Sequence, residues 1–592
     1  MTFKSLLQAS AALSLLALSS CVTEEATQSA EKTEPFIDPL TLSQSMCSSQ
    51  ATQPVSGQSP SESAAGVDFE APFRLPGEVV EHFHYPISTA SREAQLWFDH
   101  GLAHMANFNH DEAIAAFRKA QASDPNCAMC YWGEGLSFGS NINYPFDPNR
   151  GAVGLIAAQA AMARIDGAGD REAALIQALA TRYSQTETNA VVENAAAYAD
   201  AMEAVSRQFA ADKVILALAA EANMDTQPWD YWQADGRVPK GRTARTLEMI
   251  ETALSYDPDF APAIHLYIHI KESSVDPFGA EPYADRLAAQ SLGVGHLVHM
   301  PSHIYLRLGQ WKKSQAANLT AIAADEAYIA ESANADIYGA IYYPHNVHFV
   351  VASSQYAGDA ETATQMAAKI ANIATLDPDG FDPFAEHIAA SKLFTDLLFA
   401  PDEAVLDMPE PAAGHLYMRT AWHYARGTVL ARRGDADGAT SELTALRALA
   451  DADNINAYVE MCGVPKPGIM EVAGLTLEGR ILASQNDLTG AIDRLETAAA
   501  AEAALPYFEP TWWYYPTRQT LGMFLLMDRQ YDRAEREFFK TLIKAPNNAY
   551  ALYGLSEAFR LHGDEHSAAY AKELFEDAWM GGEGETPKLD EL

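Results

Sequence analysis

The sequence predicts an all-α fold, a solenoid of antiparallel helix pairs, and three observations point to it. Similar residues recur 34 positions apart, at Trp97 and Tyr131, Gly101 and Gly135, and Ala534 and Ala568. Alternating apolar and polar runs, which are typical of strands, are scarce. Hydrophobic residues make up 48 % of the 592 residues, so the chain can bury a long core, and a wholly disordered protein is excluded.

The clearest repeat lies near the beginning of the predicted solenoid. Small residues let the two helices of a pair approach closely, large residues fill the seam between them, and a proline ends the second helix. The residues in these roles are Trp97, Gly101, Ala113, Phe117, Ala120 and Pro125. Their spacing resembles the tetratricopeptide repeat, and this resemblance implies the fold named above.

Further copies of the pattern follow along the chain and cover most of residues 90–580. One late copy is carried by Leu521, Gly522, Ala534, Phe538 and Pro546, and the next runs from Leu552 to Trp579. Degenerate copies lie at 427–446, at 479–498 and across 245–370. We therefore expect an N-terminal array over 76–370 and a C-terminal array over 371–592.

The first 21 residues have the features of a secretory signal. Lys4 precedes an apolar run from Leu6 to Leu18, which is too short to span a bilayer. The run ends in Leu-Ser-Ser-Cys, which resembles the lipobox of bacterial lipoproteins and predicts lipidation of Cys21. An ordinary signal peptide with an incidental cysteine is the alternative. Val22 follows the cysteine, and the resemblance then implies a lipid anchor in the outer membrane, facing the periplasm.

Residues 22–75 are rich in Ser, Thr, Glu, Gln and Pro, and we interpret them as a flexible tether between the anchor and the solenoid. Cys47 lies in this segment without an evident role. Beyond the signal, no apolar run reaches the length of a membrane span, so membrane contact is expected only through the lipid. The net charge of −39 opposes binding to nucleic acid, and none is expected as a partner.

Histidines are concentrated in the middle of the chain. Seven of the 17 lie within 265–348. In the tetratricopeptide frame, all seven and Glu272 fall on positions of the first helix of a repeat that line the concave groove. Three successive repeats would place these faces side by side. The candidate metal ligands are His265, His269, Glu272, His296, His299, His303, His345 and His348.

Imidazole ligands indicate a transition metal such as Zn, Cu or Fe. A polar cluster that contacts a substrate or peptide is the alternative, and a purely structural role is the third. Pro301 disfavours a helical conformation at Met300, so a break in the helix there would place His296 and His299 out of register with His303. His100 and His104 of the first repeat are expected to be structural.

A C-x-x-C motif begins the second repeat, at Cys127 and Cys130. Covalent haem attachment would require histidine at position 131, where tyrosine stands, so no haem is expected. A structural disulfide is the leading interpretation in an oxidising periplasm, and a redox role, a metal role or free buried thiols remain open. Cys462 has no evident partner.

Three motifs resemble those of a group of large secreted bacterial tetratricopeptide-repeat lipoproteins without an established activity. They are Cys127–Gly133, His299–Tyr305 and Trp513–Arg518. Tetratricopeptide arrays generally bind peptides or proteins in the concave groove, so the resemblance implies a lipid-anchored periplasmic protein with such a partner. The histidines support an alternative, a metal-binding protein or metalloenzyme. No GxSxG, HExxH, P-loop or GxGxxG motif is present, so no nucleotide is expected and no reaction is indicated.

Overall fold

Helical hairpins follow one another along the chain in a computed structural model, as the repeat spacing predicts. The structure describes residues 71–592 except 189, 235, 375, 377–382, 452–465, 583 and 589–592. The predicted signal peptide, the lipidation site Cys21, most of the tether, and Cys47 and Cys462 lie outside the described residues. Phe73 and Leu75, at the end of the predicted tether, pack against the N-terminal core. None of the described helices combines the length and apolar character that a membrane span requires.

The N-terminal helices are α1 (Gly77–Glu81), α2 (Arg92–Ala106), α3 (His110–Ser123), α4 (Ala128–Ser137), α5 (Pro148–Met162), α6 (Asp170–Leu179), α7 (Ala195–Gln208), α8 (Lys213–Met224) and α9 (Thr243–Tyr256). Consecutive helices pack as antiparallel pairs, beginning with α2 against α3. One short antiparallel hairpin of β1 (Tyr183–Gln185) and β2 (Val191–Glu193) lies between α6 and α7, with Ser184 opposite Val192.

The middle helices, which carry the candidate ligands, are α10 (Ala261–Glu272), α11 (Glu281–Gln290), α12 (Gly295–His299), α13 (Pro301–Arg307), α14 (Trp311–Glu331), α15 (Asp336–Ala357) and α16 (Ala360–Ile373). Pro301 divides α12 from α13, because its ring removes a backbone donor. Met300 nevertheless keeps helical dihedral angles, with φ −49° and ψ −40°. The expected disruption is therefore small, and His299 stays in helical register with His303.

The C-terminal helices are α17 (Pro383–Phe399), α18 (Asp402–Leu406), α19 (Leu416–Arg432), α20 (Ala436–Ala448), α21 (Lys466–Ser484), α22 (Leu488–Ala503), α23 (Thr517–Met527), α24 (Tyr531–Lys544), α25 (Ala549–His562) and α26 (Glu565–Ala578). Short 3-10 helices lie at Ile165–Gly167, Pro277–Ala280 and Leu449–Asp451.

Close approach at two glycines determines the packing of the best-matching repeat. A Cβ atom on Gly101 would lie 2.5 Å from the Phe117 ring, and one on Gly133 would lie 2.4 Å from it. The ring of Phe538 is enclosed in the same way by Gly522 and Gly554, at 2.8 and 2.4 Å. A phenylalanine ring packed between two glycines is therefore found in both an early and a late repeat.

Contacts also join the two predicted arrays. The indole Nε1 of Trp311 donates to the carbonyl oxygen of Asn547 at 2.8 Å, and the backbone N–H of Met580 donates to the carbonyl oxygen of Ala357 at 2.8 Å. These bonds hold the last repeats against the ligand-bearing middle helices. The segment after α22 also packs inward, where Trp512, Trp513 and Tyr514 are buried.

Candidate metal centre

The first histidine set combines two helices. His265 and His269 are one helical turn apart on α10, so their side chains share a face. His296 comes from α12 and meets them from the next repeat. The Nε2 atom of His265 lies 3.0 Å from that of His269 and 3.1 Å from that of His296. All three residues are buried.

The second set lies beside the first and uses three helices. His299 ends α12, His303 lies on α13 and His345 lies on α15. The Nε2 atoms of His299 and His303 are 2.8 Å apart. The ring of His345 is centred 4.9 Å from that of His299 and 5.7 Å from that of His303. One ring nitrogen from each member of this set lies within 4.8 Å of the others, and the same holds for the first set.

Glu272, at the end of α10, lies between the two sets. Its Oε1 atom is 2.9 Å from Nδ1 of His269, and its Oε2 atom is 2.6 Å from Nδ1 of His303. Glu509 adds a second carboxylate oxygen 2.8 Å from Nδ1 of His303. Tyr507 donates its hydroxyl to Glu509. The predicted ligand Glu272 is therefore placed to orient two rings.

Two further rings have acceptors at Nδ1. The Nδ1 atom of His265 lies 2.9 Å from the carbonyl oxygen of Ala106, and that of His299 lies 2.6 Å from Oδ1 of Asn318. Oxygen acceptors hold the proton on Nδ1, so the Nε2 lone pair of a neutral ring faces the other histidines. This is the second-sphere arrangement that histidine ligands of metals generally have.

Burial dominates the electrostatics of the two sets. It lowers the pKa of His265, His269, His296, His299 and His345 well below the ordinary value, and neighbouring histidines lower the pKa further. Burial also acts on His303, but Glu272 and Glu509 outweigh it and raise its pKa to about 10. Burial raises the pKa of Glu509 to about 7, against the opposing effect of His303.

Phe108 forms one wall of the first set. Its ring centre lies 4.4 Å from that of His265, 5.4 Å from that of His296 and 6.0 Å from that of His269. The backbone of Phe108 is left-handed, with φ of 54°, which is a strained conformation for a bulky residue. The loop between α2 and α3 thus adopts an unfavourable dihedral angle while it covers the histidines.

His348 does not join either set, although the groove frame grouped it with them. Its Nε2 atom is bonded to the hydroxyl of Tyr514, and its ring lies 5.2 Å from that of His387. His345 precedes it by three residues on α15, and a change of three positions turns a side chain about 60° around the helix. That rotation points His348 towards the 512–514 segment. The other predicted residues of the groove are brought together.

The histidines are buried, which differs from the open groove wall that the repeat frame predicts. The exposed fraction is 0–4 % for the five residues His265, His269, His296, His299 and His303. Phe108 covers one side, and the segment with Tyr507 and Glu509 reaches His303 from another. The sequence did not identify Phe108, Tyr507 and Glu509 as part of the site, because neither the histidine pattern nor the repeat spacing distinguishes them.

The C-x-x-C motif and the first-repeat histidines lie where the sequence places them. Cys127 and Cys130 are joined in a disulfide at the beginning of α4. His100 and His104 are buried within the first repeat, and Nε2 of His104 lies 3.2 Å from the carbonyl oxygen of Phe73.

Comparisons with known proteins agree with the repeat assignment. The family model for the tetratricopeptide repeat matches residues 94–127, the segment that carries Gly101 and Phe117. The predicted tetratricopeptide resemblance and all-α fold are thereby confirmed. A search of curated proteins finds no match.

Among solved structures, the chain is similar to the human IFIT1 dimer with m7Gppp-AAAA. The identity is 12 %, with 88 % of this chain and 99 % of that chain covered, and the TM-score is 0.30. The tetratricopeptide domain of P58(IPK) matches at 16 % identity over 58 % of this chain and 90 % of that chain, with a TM-score of 0.19. Naa15/Naa10 bound to HypK-THB matches at 12 % identity over 83 % of this chain and 70 % of that chain, with a TM-score of 0.20.

Proposed function

We propose that this chain, which carries a tetratricopeptide repeat at 94–127, binds transition metal ions through the two histidine sets of its middle repeats. The first set is His265, His269 and His296, and the second is His299, His303 and His345. One observation carries the proposal: the Nε2 atoms of His265, His269 and His299, whose rings have acceptors at Nδ1, each lie 2.8–3.1 Å from the Nε2 atom of another histidine.

Two facing nitrogen lone pairs repel each other unless a proton or a cation lies between them. Acceptors at Nδ1 hold the ring proton of His265, His269 and His299 on the side away from the cluster. A metal ion about 2.0–2.1 Å from each Nε2 atom would satisfy these lone pairs at once. Without an ion, the Nε2 atoms of His265 and His269 would face each other as two buried acceptors.

The ligand type limits the choice of metal. Neutral imidazole suits Zn, Cu, Fe and Ni, whereas Mg and Ca prefer oxygen ligands. Three protein ligands leave a further coordination position, as catalytic zinc sites do, so the arrangement is compatible with a metalloenzyme. A bound ion would supply Lewis acidity or, for Cu and Fe, electron transfer.

Elemental analysis of the purified protein tests the proposal. We expect about one or more equivalents of Cu, Zn or Fe per chain, and loss of most of that metal in a His269→Ala, His303→Ala double variant. His100→Ala and His387→Ala, which remove buried histidines outside both sets, should retain the metal. Helical circular dichroism confirms that each variant is folded. Equal metal content in all variants, or none in the wild type, contradicts the proposal.

The repeat architecture supports a second candidate function, peptide or protein binding on a scaffold exported to the cell envelope. Tetratricopeptide folds serve interaction with other proteins in general, and the repeat match favours such a role. The buried histidines offer little surface, so a partner would use other repeats. Affinity capture from envelope extracts with metal-free and metal-loaded protein tests this role, and a partner that binds both forms equally would favour a scaffold independent of metal.

A further inference from the structure

The two histidine sets are close enough to act together. Across the boundary between them, the ring centres of His269 and His303 are 5.8 Å apart, and those of His296 and His299 are 5.9 Å apart. The ring centres of His269 and His296, which belong to one set, are 6.0 Å apart. Ring spacing therefore does not divide the cluster into two separate sites.

One carboxylate also couples the sets. Glu272 contacts Nδ1 of His269 in the first set with one oxygen and Nδ1 of His303 in the second set with the other. A change in charge at either set would therefore act on the same carboxylate. Second-sphere carboxylates orient the histidine ligands of metals, and here one such carboxylate contacts both sets.

Charge balance indicates what such a centre would take up. Histidines bind a metal ion as neutral imidazoles, so six such ligands would add no charge, and the carboxylates bonded to these rings, Glu272 and Glu509, would face two divalent ions. Arg307 stacks over Tyr507 at 5.3 Å and adds positive charge nearby. An excess of buried positive charge is unfavourable unless an anion compensates it.

A small cavity adjoins two residues that contact the first set. Its volume is about 40 Å³, and its lining includes Asn141, Asn143, Arg150, Phe108 and Tyr342. The last two residues contact His296, with ring centres at 5.4 and 4.6 Å. A second cavity of about 60 Å³ is lined by His265 itself together with Phe108, and a cavity of this size has room for a group of a few atoms.

We infer that the two sets hold two metal ions as one dinuclear centre that binds a small bridging anion, of the class of hydroxide or azide. This inference rests on the proposed metal binding and extends it from two ion sites to a shared ligand. Each three-histidine ion has a vacant coordination position, and one anion placed between the ions fills both and offsets their charge.

Copper(II) loading of the full chain with azide as the probe tests the inference. We expect two Cu(II) ions per chain, one azide bound per two ions, and loss of most of the electron paramagnetic resonance signal when azide bridges the pair. In His299→Ala, one ion should remain, its full signal should persist with azide, and azide affinity should fall at least tenfold. His387→Ala should behave as the wild type.

Titration of the wild type keeps the test independent of variant folding. At one Cu(II) per chain, the sample should show an electron paramagnetic resonance signal. In the presence of azide, the signal per copper ion should fall as a second equivalent of Cu(II) is added. Two ions with undiminished spin intensity, or only one ion per chain, would overturn the dinuclear centre while leaving metal binding intact. No retained copper would overturn the dinuclear copper centre, and no retained Cu, Zn or Fe would overturn the proposed function itself.

Discussion

The carboxylate of Glu272 lies 2.6 Å from Nδ1 of His303, and this contact connects the end of one repeat with the first helix of the next. The other oxygen of the same carboxylate lies 2.9 Å from Nδ1 of His269. Glu272 is buried, so its carboxylate oxygens are bonded by these imidazoles and not by bulk water. This single side chain therefore helps to orient one histidine of each set.

Glu272→Gln should weaken metal binding at both sets. The amide keeps the shape of the carboxylate but loses its charge and one of its two acceptor oxygens, so it holds the Nδ1 protons of His269 and His303 less strongly. Loss of such a second-sphere partner lowers metal affinity by about 10–100-fold. Competition with a chelator of known affinity measures the change.

Asn318→Ala provides the matched comparison, because Asn318 orients only His299 in the second set. It should weaken metal binding at the second set and leave the first set near its wild-type affinity. If Glu272→Gln also weakens metal binding at one set alone, Glu272 does not couple the two sets.

Metal-free protein should lose stability as the pH falls from about 6.5 to about 4. Burial lowers the pKa of His104 to about 4, against an ordinary value of 6.5. Above pH 6.5 His104 is neutral in both states; between the two values the unfolded chain binds the proton and the folded chain does not. Between pH 7 and pH 5, His104 should account for about 2 kcal/mol of lost unfolding free energy, at about 1.36 kcal/mol per pKa unit.

Urea unfolding of the metal-free wild type and of His104→Phe at both pH values checks this contribution. Phenylalanine fills similar space and does not titrate, so the variant should lose about 2 kcal/mol less than the wild type over the same interval. Identical losses would show that His104 does not titrate differently in the folded and unfolded states.

Gly101→Ala should destabilise the first repeat. The new methyl group would lie 2.5 Å from the Phe117 ring, which is enclosed between helices, and overpacking of this kind costs about 1–3 kcal/mol. Gly474→Ala, on α21, is the control, because its methyl group would lie 3.8 Å from the nearest atoms of Leu443 and Leu446. Alanine is the better helix former, so this variant should gain up to about 1 kcal/mol. Thermal unfolding followed by circular dichroism compares them, and equal midpoints would contradict the packing argument.

Cys21→Ser should move the protein from the membrane fraction to the soluble periplasm, because the lipid attached to the thiol is the predicted anchor. Fractionation after cell lysis, with immunoblotting of each fraction, measures the distribution. A wild-type protein that is already soluble would contradict the lipid anchor and favour an ordinary signal peptide.

Local spacing in the sequence was sufficient to predict the helical repeats. Gly101, Phe117, Gly522 and Phe538 act within neighbouring helices, so their separation along the chain maps directly onto their packing. The same reasoning places His265 beside His269 and His299 beside His303, because a helix brings residues four apart onto one face. Helical periodicity thus determined the pairs that make up much of the candidate centre.

Only the tertiary structure decided how those pairs are completed and covered. Glu509 reaches His303 from more than 200 positions away, and Phe108 reaches His265 from the first repeat. The structure also separates His348 from His345 through the rotation of α15 and its bond to Tyr514. These contacts depend on how distant repeats stack, and stacking is set by the packing of many side chains at once. Sequence spacing alone carries no information on that packing, so it determined the ligand-bearing helices but not the enclosure that buries them.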